Sequence, residues 1–210
     1  MKILISIMSF LMMATSCGAS PNKSNGSNEN TETSMGNESK KSIVVYYSRR
    51  GMNYLNGDVV DLKVGNTEVV AGKIQTLTGS NIFRIETVKS YPVDYTETTE
   101  VAQREFNENA RPELTEKIED MEQYDVIYLG YPIWWGTYPM AVATFLDSYD
   151  FSGKTIIPFC THEGSALGSS VQDIKKAAPT ATVLEGLAIK GSNVNTSDKA
   201  IEDWINKNKE

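Results

Sequence analysis

Short apolar runs recur along most of this chain, and helically spaced or polar stretches separate them. Ile43–Tyr47, Ile82–Ile85, Val126–Leu129, Ile156–Phe159 and the run beginning Thr182–Leu184 have the length and β-branched content of buried strands. Asn66 to Leu77 reads as a helix, with Val69, Val70, Ile74 and Leu77 at helical spacing and Gly79 suited to the C-terminal cap. Tyr95 to Asn109 is helical but mostly polar, which predicts a surface helix. Phe151-Ser152-Gly153-Lys154 is a turn into the fourth strand. Ser169 to Ala178 is a helix ended by Pro179, and Ser197 to Lys207 is the last. Alternation of this kind argues for a parallel sheet covered on both faces. The expectation is an α/β domain, three-layer and doubly wound, with a five-stranded parallel sheet. Ligands of such folds sit outside the carboxyl ends of the strands.

The first 41 residues do not share this pattern. Lys2 is followed by an apolar run from Ile3 through Met13, then by Ala14-Thr15-Ser16 and Cys17. That is the layout of a secretory signal over residues 1–16, too short to span a bilayer stably. Small residues before a cysteine resemble a bacterial lipobox, which implies cleavage before Cys17 and lipid on its sulfur. A plain signal with an incidental cysteine is the alternative. Residues 18–41 are dominated by Ser, Asn, Thr, Glu and Lys. They bury too little to offset the entropy of ordering and read as a tether, with a typical end-to-end distance of roughly 25–30 Å. The expected product is an exported, membrane-anchored lipoprotein of a bacterial cell envelope.

Residues 42–210 form one domain by length. They carry 16 Lys/Arg against 24 Asp/Glu, a formal charge of −8, so nucleic acid is an unfavourable partner. Cys160 is the one cysteine and His162 the one histidine, which excludes an intramolecular disulfide and a Cys- or His-rich metal site.

Three loops fall at the carboxyl ends of the expected strands. The first runs Ser48-Arg49-Arg50-Gly51-Met52-Asn53, detours through Tyr54 to Val64, and resumes at Gly65-Asn66-Thr67-Glu68. Asn66 or Thr67 can cap the helix, and the helix N-terminus is a ready phosphate site. An ordinary cap after a hairpin-like insertion accounts for the same residues. The second is Gly130-Tyr131-Pro132-Ile133-Trp134-Trp135-Gly136, with two adjacent indoles in a position that is normally polar. The third, Cys160 to Gly168, is small and Gly-rich. Together they fit a planar aromatic ligand bearing a phosphate.

These motifs, in this order, resemble the flavodoxin-like family, specifically its Gly-Tyr-Pro-x-Trp-Trp-Gly branch in bacterial flavoproteins. The resemblance covers residues 42–210. It implies strand order 2-1-3-4-5 and non-covalently bound FMN. By position, Ser48, Asn66 and Thr67 would hold the phosphate. Pro132, Ile133, Trp134, Trp135 and Gly136 would line the ring, with Thr161, His162, Glu163 and Gly164 opposite. The sequence departs from the family where Met52 to Val64 split the phosphate loop. Two sets therefore compete for the phosphate: Arg50, Gly51, Met52 and Asn53, or Gly65 to Thr67. One tryptophan is expected to stack on the ring and the other to pack beneath, because adjacent residues point to opposite sides. His162 is either a flavin contact or a surface residue, and Cys160 reads as buried rather than nucleophilic.

Other phosphate-handling classes fail on inspection. The third strand ends in Leu129-Gly130 rather than an aspartate, Ala166 stands where Cys-x5-Arg needs arginine, and no Gly-x-Ser-x-Gly or Walker pattern is present. Two functions remain. One is a flavoprotein in electron transfer or NAD(P)H-dependent reduction, with a redox partner protein or NAD(P)H as its partner and no side chain required as acid or base. Acidic surroundings would lower the potential of its flavin. The other is a flavodoxin-like module that has lost FMN and binds another ligand or protein. The acidic run Glu97–Asp125 is a solvated face or a docking surface for a basic partner.

Overall fold

The structure is a computed structural model that describes residues 40–208. The expected signal, Cys17 and the tether through residue 39 lie outside the described residues. The tether was expected to reach Lys41, but Lys41 belongs to the fold. Its N–H donates to Asp125 Oδ2 at 2.9 Å, and its carbonyl accepts from Asp125 N–H at 2.9 Å.

Strand β1 (Ser42–Tyr47) explains the layering. Ile43, Val45 and Tyr47 enter one apolar cluster, while Val44 and Tyr46 enter another. A strand apolar on both faces has to be central. It pairs in parallel with β4 (Asn81–Ile85) on one side and β5 (Val126–Pro132) on the other. Beyond β5 comes β6 (Thr155–His162), which pairs with both β7 (Thr182–Val183) and β8 (Leu187–Lys190). The sheet runs β4-β1-β5-β6-β7, which is the expected 2-1-3-4-5 order with the fifth position split in two.

Helices α1 (Asn66–Thr78) and α5 (Asp198–Lys207) cover one face. Val70, Ala71, Ile74, Ile201, Trp204 and Ile205 meet Val44, Tyr128, Ile157 and Phe159 there. The other face carries α3 (Met140–Asp147) and α4 (Ser170–Ala177), with α2 (Tyr95–Asn107) beside α3. Side chains such as Ile74 and Phe159 are fully buried, each contributing roughly 1.5–3 kcal/mol.

Two features depart from the expectation, and a third, the hairpin-like detour, keeps to it. Helix α3 was not anticipated. Met140, Ala141, Val142, Ala143, Phe145 and Leu146 are all buried, so the segment has no polar face to mark its period. The detour is an antiparallel hairpin, β2 (Gly51–Leu55) and β3 (Asp58–Leu62), turned at Asn56-Gly57. Finally, α1 is capped by neither Asn66 nor Thr67, since its N-cap is Gly65. A Cβ at Gly65 would lie 2.2 Å from Ser48 Oγ and 2.5 Å from Arg49 O, so only glycine lets the chain leave the hairpin so close to the end of β1. Ser48 Oγ then accepts the Glu68 N–H at 3.1 Å and caps α1 from outside.

Candidate functional site

Strands β5 and β6 run past their apolar cores, through Pro132 and His162. Gly130-Tyr131-Pro132 is therefore strand, paired with Phe159-Cys160-Thr161. Gly130 is small for a packing reason, because a Cβ there would lie 2.1 Å from the Phe159 ring. Tyr131 is fully buried and donates to Ser170 Oγ at 3.0 Å, tying β5 to α4. Beyond these strand ends opens a cavity of about 440 Å³, walled on its far side by the hairpin and α2.

One end of the cavity is the N-terminus of α1. The first intrahelical bond runs from Val69 N–H to Gly65 O, and Ser48 takes the Glu68 N–H. The N–H groups of Asn66 and Thr67 are the remaining first-turn donors. The buried Thr67 and Thr161 hydroxyls bond each other at 2.8 Å, fixing α1 against β6.

Neither arginine offers a free charge here. Arg50 is exposed and paired with Glu68 at 3.1 Å, away from the cavity wall. Arg49, which the sequence reading passed over, lines the cavity instead. Its guanidinium donates to the carbonyls of Met52, Pro92 (2.8 Å), Val93 (2.6 Å) and Asp94 (3.1 Å) and to Asn53 Oδ1 (3.2 Å). It fastens the hairpin to the start of α2. Gly51 and Met52 lie in β2 off the cavity wall, whereas Asn53 lies on it, with its amide donating to Gly51 O at 2.9 Å.

The two tryptophans separate cleanly. Trp134 and Thr137 exchange both backbone hydrogen bonds, at 2.8 and 3.1 Å, around the central pair Trp135 (φ 50°) and Gly136 (φ 84°). Positive φ at both central residues makes this a type I′ turn. The Trp134 ring is held edge-to-face by Tyr47 and Tyr91, at 5.5 and 5.2 Å between centroids. Trp135 is 48% exposed, and its Nε1–H donates to Thr99 O on α2 at 3.1 Å. Both line the cavity, as do Pro132 and Ile133; Trp134 is partly buried and Trp135 is exposed. Gly136 is not on the wall. It carries the turn, and its carbonyl accepts from Ser169 N–H at 2.8 Å. Asp173 also anchors the turn, accepting from Thr137 Oγ1 (2.9 Å) and Ser169 Oγ (2.6 Å). Burial pushes the Asp173 carboxyl up, but these bonds and Lys176 outweigh it and hold it below its usual range.

The third loop supplies Thr161, His162 and Glu163 to the wall, while Gly164 lies behind it. His162 Nδ1 accepts the Gly164 N–H at 3.0 Å, which selects the neutral tautomer with its proton on Nε2. Burial lowers the His162 pKa, with Glu163 opposing and Lys190 assisting. Burial also pushes the Cys160 thiol up to about 12, so it stays protonated beneath the loop.

The structure adds wall residues that the sequence reading missed. Tyr95, Thr98, Thr99 and Ala102 follow the i, i+3, i+4, i+7 spacing of one helix face, and Thr98 and Ala102 are buried. The stripe has helical spacing, but its small polar residues read as solvated surface. Tyr54 and Leu62 come from the hairpin, and Tyr54 stacks on Tyr95 at 6.1 Å. The Asn56-Gly57 dipeptide was the available signal for the hairpin.

Among the described residues no cluster of three His, Cys, Asp or Glu side chains is placed to hold a metal ion. A family model described as Flavodoxin matches residues 62–208. The chain is similar to a candidate flavoprotein from Bacteroides eggerthii, with 29% identity and a TM-score of 0.64 over 79% of this chain and 96% of that one. A candidate flavoprotein from Bacteroides uniformis shows 26% identity and a TM-score of 0.63 over 80% and 98%. A flavoprotein from Lactobacillus acidophilus NCFM, crystallised in complex with FMN, shares the fold at 22% identity and a TM-score of 0.58 over 79% and 99%. No curated protein matches.

Proposed function

Since the chain belongs to the flavodoxin family, we propose that its cavity binds FMN without a covalent bond and that the protein acts in electron transfer or NAD(P)H-dependent reduction. The observation carrying this reading is one cavity of about 440 Å³ whose wall includes both the first-turn residues Asn66 and Thr67 of a helix N-terminus and the exposed Trp135. A phosphate suits the first and a planar ring the second. The FMN bound to the Lactobacillus acidophilus protein supports the choice of ligand.

In this reading Asn66 and Thr67 hold the phosphate through neutral donors, with Ser48 fixing the helix end that presents them. Gly65 to Thr67 thus outweigh the first half of the split loop. Trp135 stacks on the ring, Trp134 supports the turn from below, and His162 offers its Nε2–H. Gly136 shapes the turn, and Gly164 sets the His162 tautomer. FMN, when bound, supplies the redox chemistry, and the protein supplies stacking, hydrogen bonds and nearby charge. Export, lipid on Cys17 and tethering to a bacterial envelope membrane complete the proposal. A basic redox partner docking on the acidic face would show salt-sensitive association.

The test is direct. The chain purified from residue 18 onward is expected to show visible flavin absorbance, or to acquire it on incubation with FMN. No flavin signal after incubation would sink the proposal in favour of a flavin-free binding module. Stopped-flow mixing with NADH and NADPH then separates an enzyme, reduced rapidly by one of them, from a carrier. Labelling with a fatty-acid analogue, lost on Cys17→Ser, checks the anchor.

A further inference from the structure

Helix α1 opens on a conflict of charge. Glu68 lies in its first turn, where a carboxylate stabilises the helix through the macrodipole. A phosphate at the Asn66 and Thr67 N–H groups would occupy the same helix end, and the two anions repel each other. Two arginines meet the carboxylate from outside the cavity. Its Oε1 accepts from the exposed Arg50 at 3.1 Å, and its Oε2 accepts from Arg84 Nη1 at 3.0 Å. Arg84 stands on the edge strand β4, in register with Tyr46 of β1. The Arg84 and Glu68 side chains are only 23% and 21% exposed, so their pairing is screened less than one on open surface.

The geometry fixes where this charge is cancelled. Arg84 Nη2 donates to the Ser48 carbonyl at 3.2 Å, and Ser48 Oγ accepts the Glu68 N–H at 3.1 Å. Ser48, Glu68 and Arg84 thus close a ring of contacts between the end of β1, the first turn of α1 and β4. Glu86 also meets Arg84, at Nε and 3.1 Å, but it is 57% exposed, and water takes up most of its field. Neither Glu68 nor Arg84 lines the cavity. We infer that Arg84 is a positioning residue for the ligand's phosphate: anchored on Ser48, it holds the Glu68 carboxylate outside the cavity and cancels its charge, so that this helix end accepts an anionic monoester. Arg84 touches no ligand and acts through Glu68. The inference rests on the FMN reading and concerns the phosphate rather than the ring.

The experiment compares FMN with riboflavin, which keeps the ring and the polyol chain but lacks the phosphate. Dissociation constants come from quenching of flavin fluorescence. Arg84→Met leaves Glu68 with only its exposed partner and is expected to weaken FMN about 10-fold, with riboflavin within about 2-fold of wild type. Raising the salt concentration should narrow that gap. Glu68→Gln frees both guanidiniums and should tighten FMN without changing riboflavin. The double variant Arg84→Met/Glu68→Gln lacks the ion pair altogether, yet it should bind FMN within about 3-fold of wild type, because the charge to be cancelled is gone. A role in packing alone would weaken both flavins and leave the double variant no better than Arg84→Met. Equal losses for the two flavins, no loss, or no recovery in the double variant would overturn the inference while leaving the cofactor reading intact. A wild type that binds riboflavin as tightly as FMN overturns it together with the placement of the phosphate. A wild type that binds neither overturns the cofactor reading as well.

Discussion

The hairpin tip and the tryptophan turn are built alike and made of different residues. Both are two-residue turns with positive φ at each central position: Asn56 (53°) and Gly57 (105°) in one, Trp135 (50°) and Gly136 (84°) in the other. Asn-Gly suits this geometry because Asn tolerates the left-handed region and Gly has no Cβ. Trp in the same region is strained by roughly 1–2 kcal/mol. The hairpin turn follows local preference. The tryptophan turn overrides it, and it does so at the cavity wall, held by Gly136 O to Ser169 and by Thr137 to Asp173. Strain maintained by surrounding contacts at a cavity is a pointer to function. Here it turns one indole outward while its neighbour stays packed.

The comparison breaks most visibly at Trp134. Trp134→Ala removes the ring held by Tyr47 and Tyr91 and is expected to cost about 3 kcal/mol in urea unfolding. Gly168→Ala comes next. Its φ is 52°, and a Cβ there would lie 2.0 Å from Gly136 O, so the loop must lift off the turn at a cost of about 2–3 kcal/mol. Asn56→Ala tests the relaxed turn, with a loss of about 1 kcal/mol from the left-handed backbone. Trp135→Asn sharpens the contrast. Relief of strain and loss of the Nε1–Thr99 bond, each about 1 kcal/mol, offset each other, so the midpoint should stay close to wild type. FMN affinity should nevertheless fall about 10-fold by fluorescence titration, because the stacking face is gone.

The smallest effect concerns pH. The folded-state pKa of His162 is depressed below its ordinary 6.5 by burial. As pH falls below about 6.5, the unfolded chain takes up a proton that the folded chain refuses, so this group's contribution to stability is lost as pH drops through the folded pKa. Unfolding midpoints between pH 7.5 and 5 should fall less in His162→Gln than in wild type. Equal slopes would show that the imidazole is not buried against the loop.

Legibility tracked how far each feature depends on its neighbours in sequence. Strands β1, β5 and β6 and helix α1 announced themselves through apolar runs, a 3.6-residue period and the Gly79 cap, which the structure keeps at φ 67°. Helix α3 stayed hidden because burial on every side erased its period. The cavity face of α2 stayed hidden because small polar residues look alike against solvent and against a cavity. Arg49 and Arg50 are adjacent, and position along the chain alone cannot say which of them faces the cavity. The fold turns Arg49 inward, where four carbonyls and the Asn53 amide oxygen surround its guanidinium.

What the residues determined by themselves is the alternation of strand and helix, the apolar character of a sheet buried on both faces, and the glycines at turns. These depend on local conformation and on hydrophobic pattern, both of which are written along the chain. The tertiary structure alone decided which indole is exposed, which arginine faces inward, and that the hairpin tip is bonded to Glu163. Those outcomes depend on where distant segments meet: Tyr91 against Trp134, Pro92 to Asp94 against Arg49, Asn56 against Glu163. Contacts between residues so far apart in sequence exist only once the chain has closed on itself.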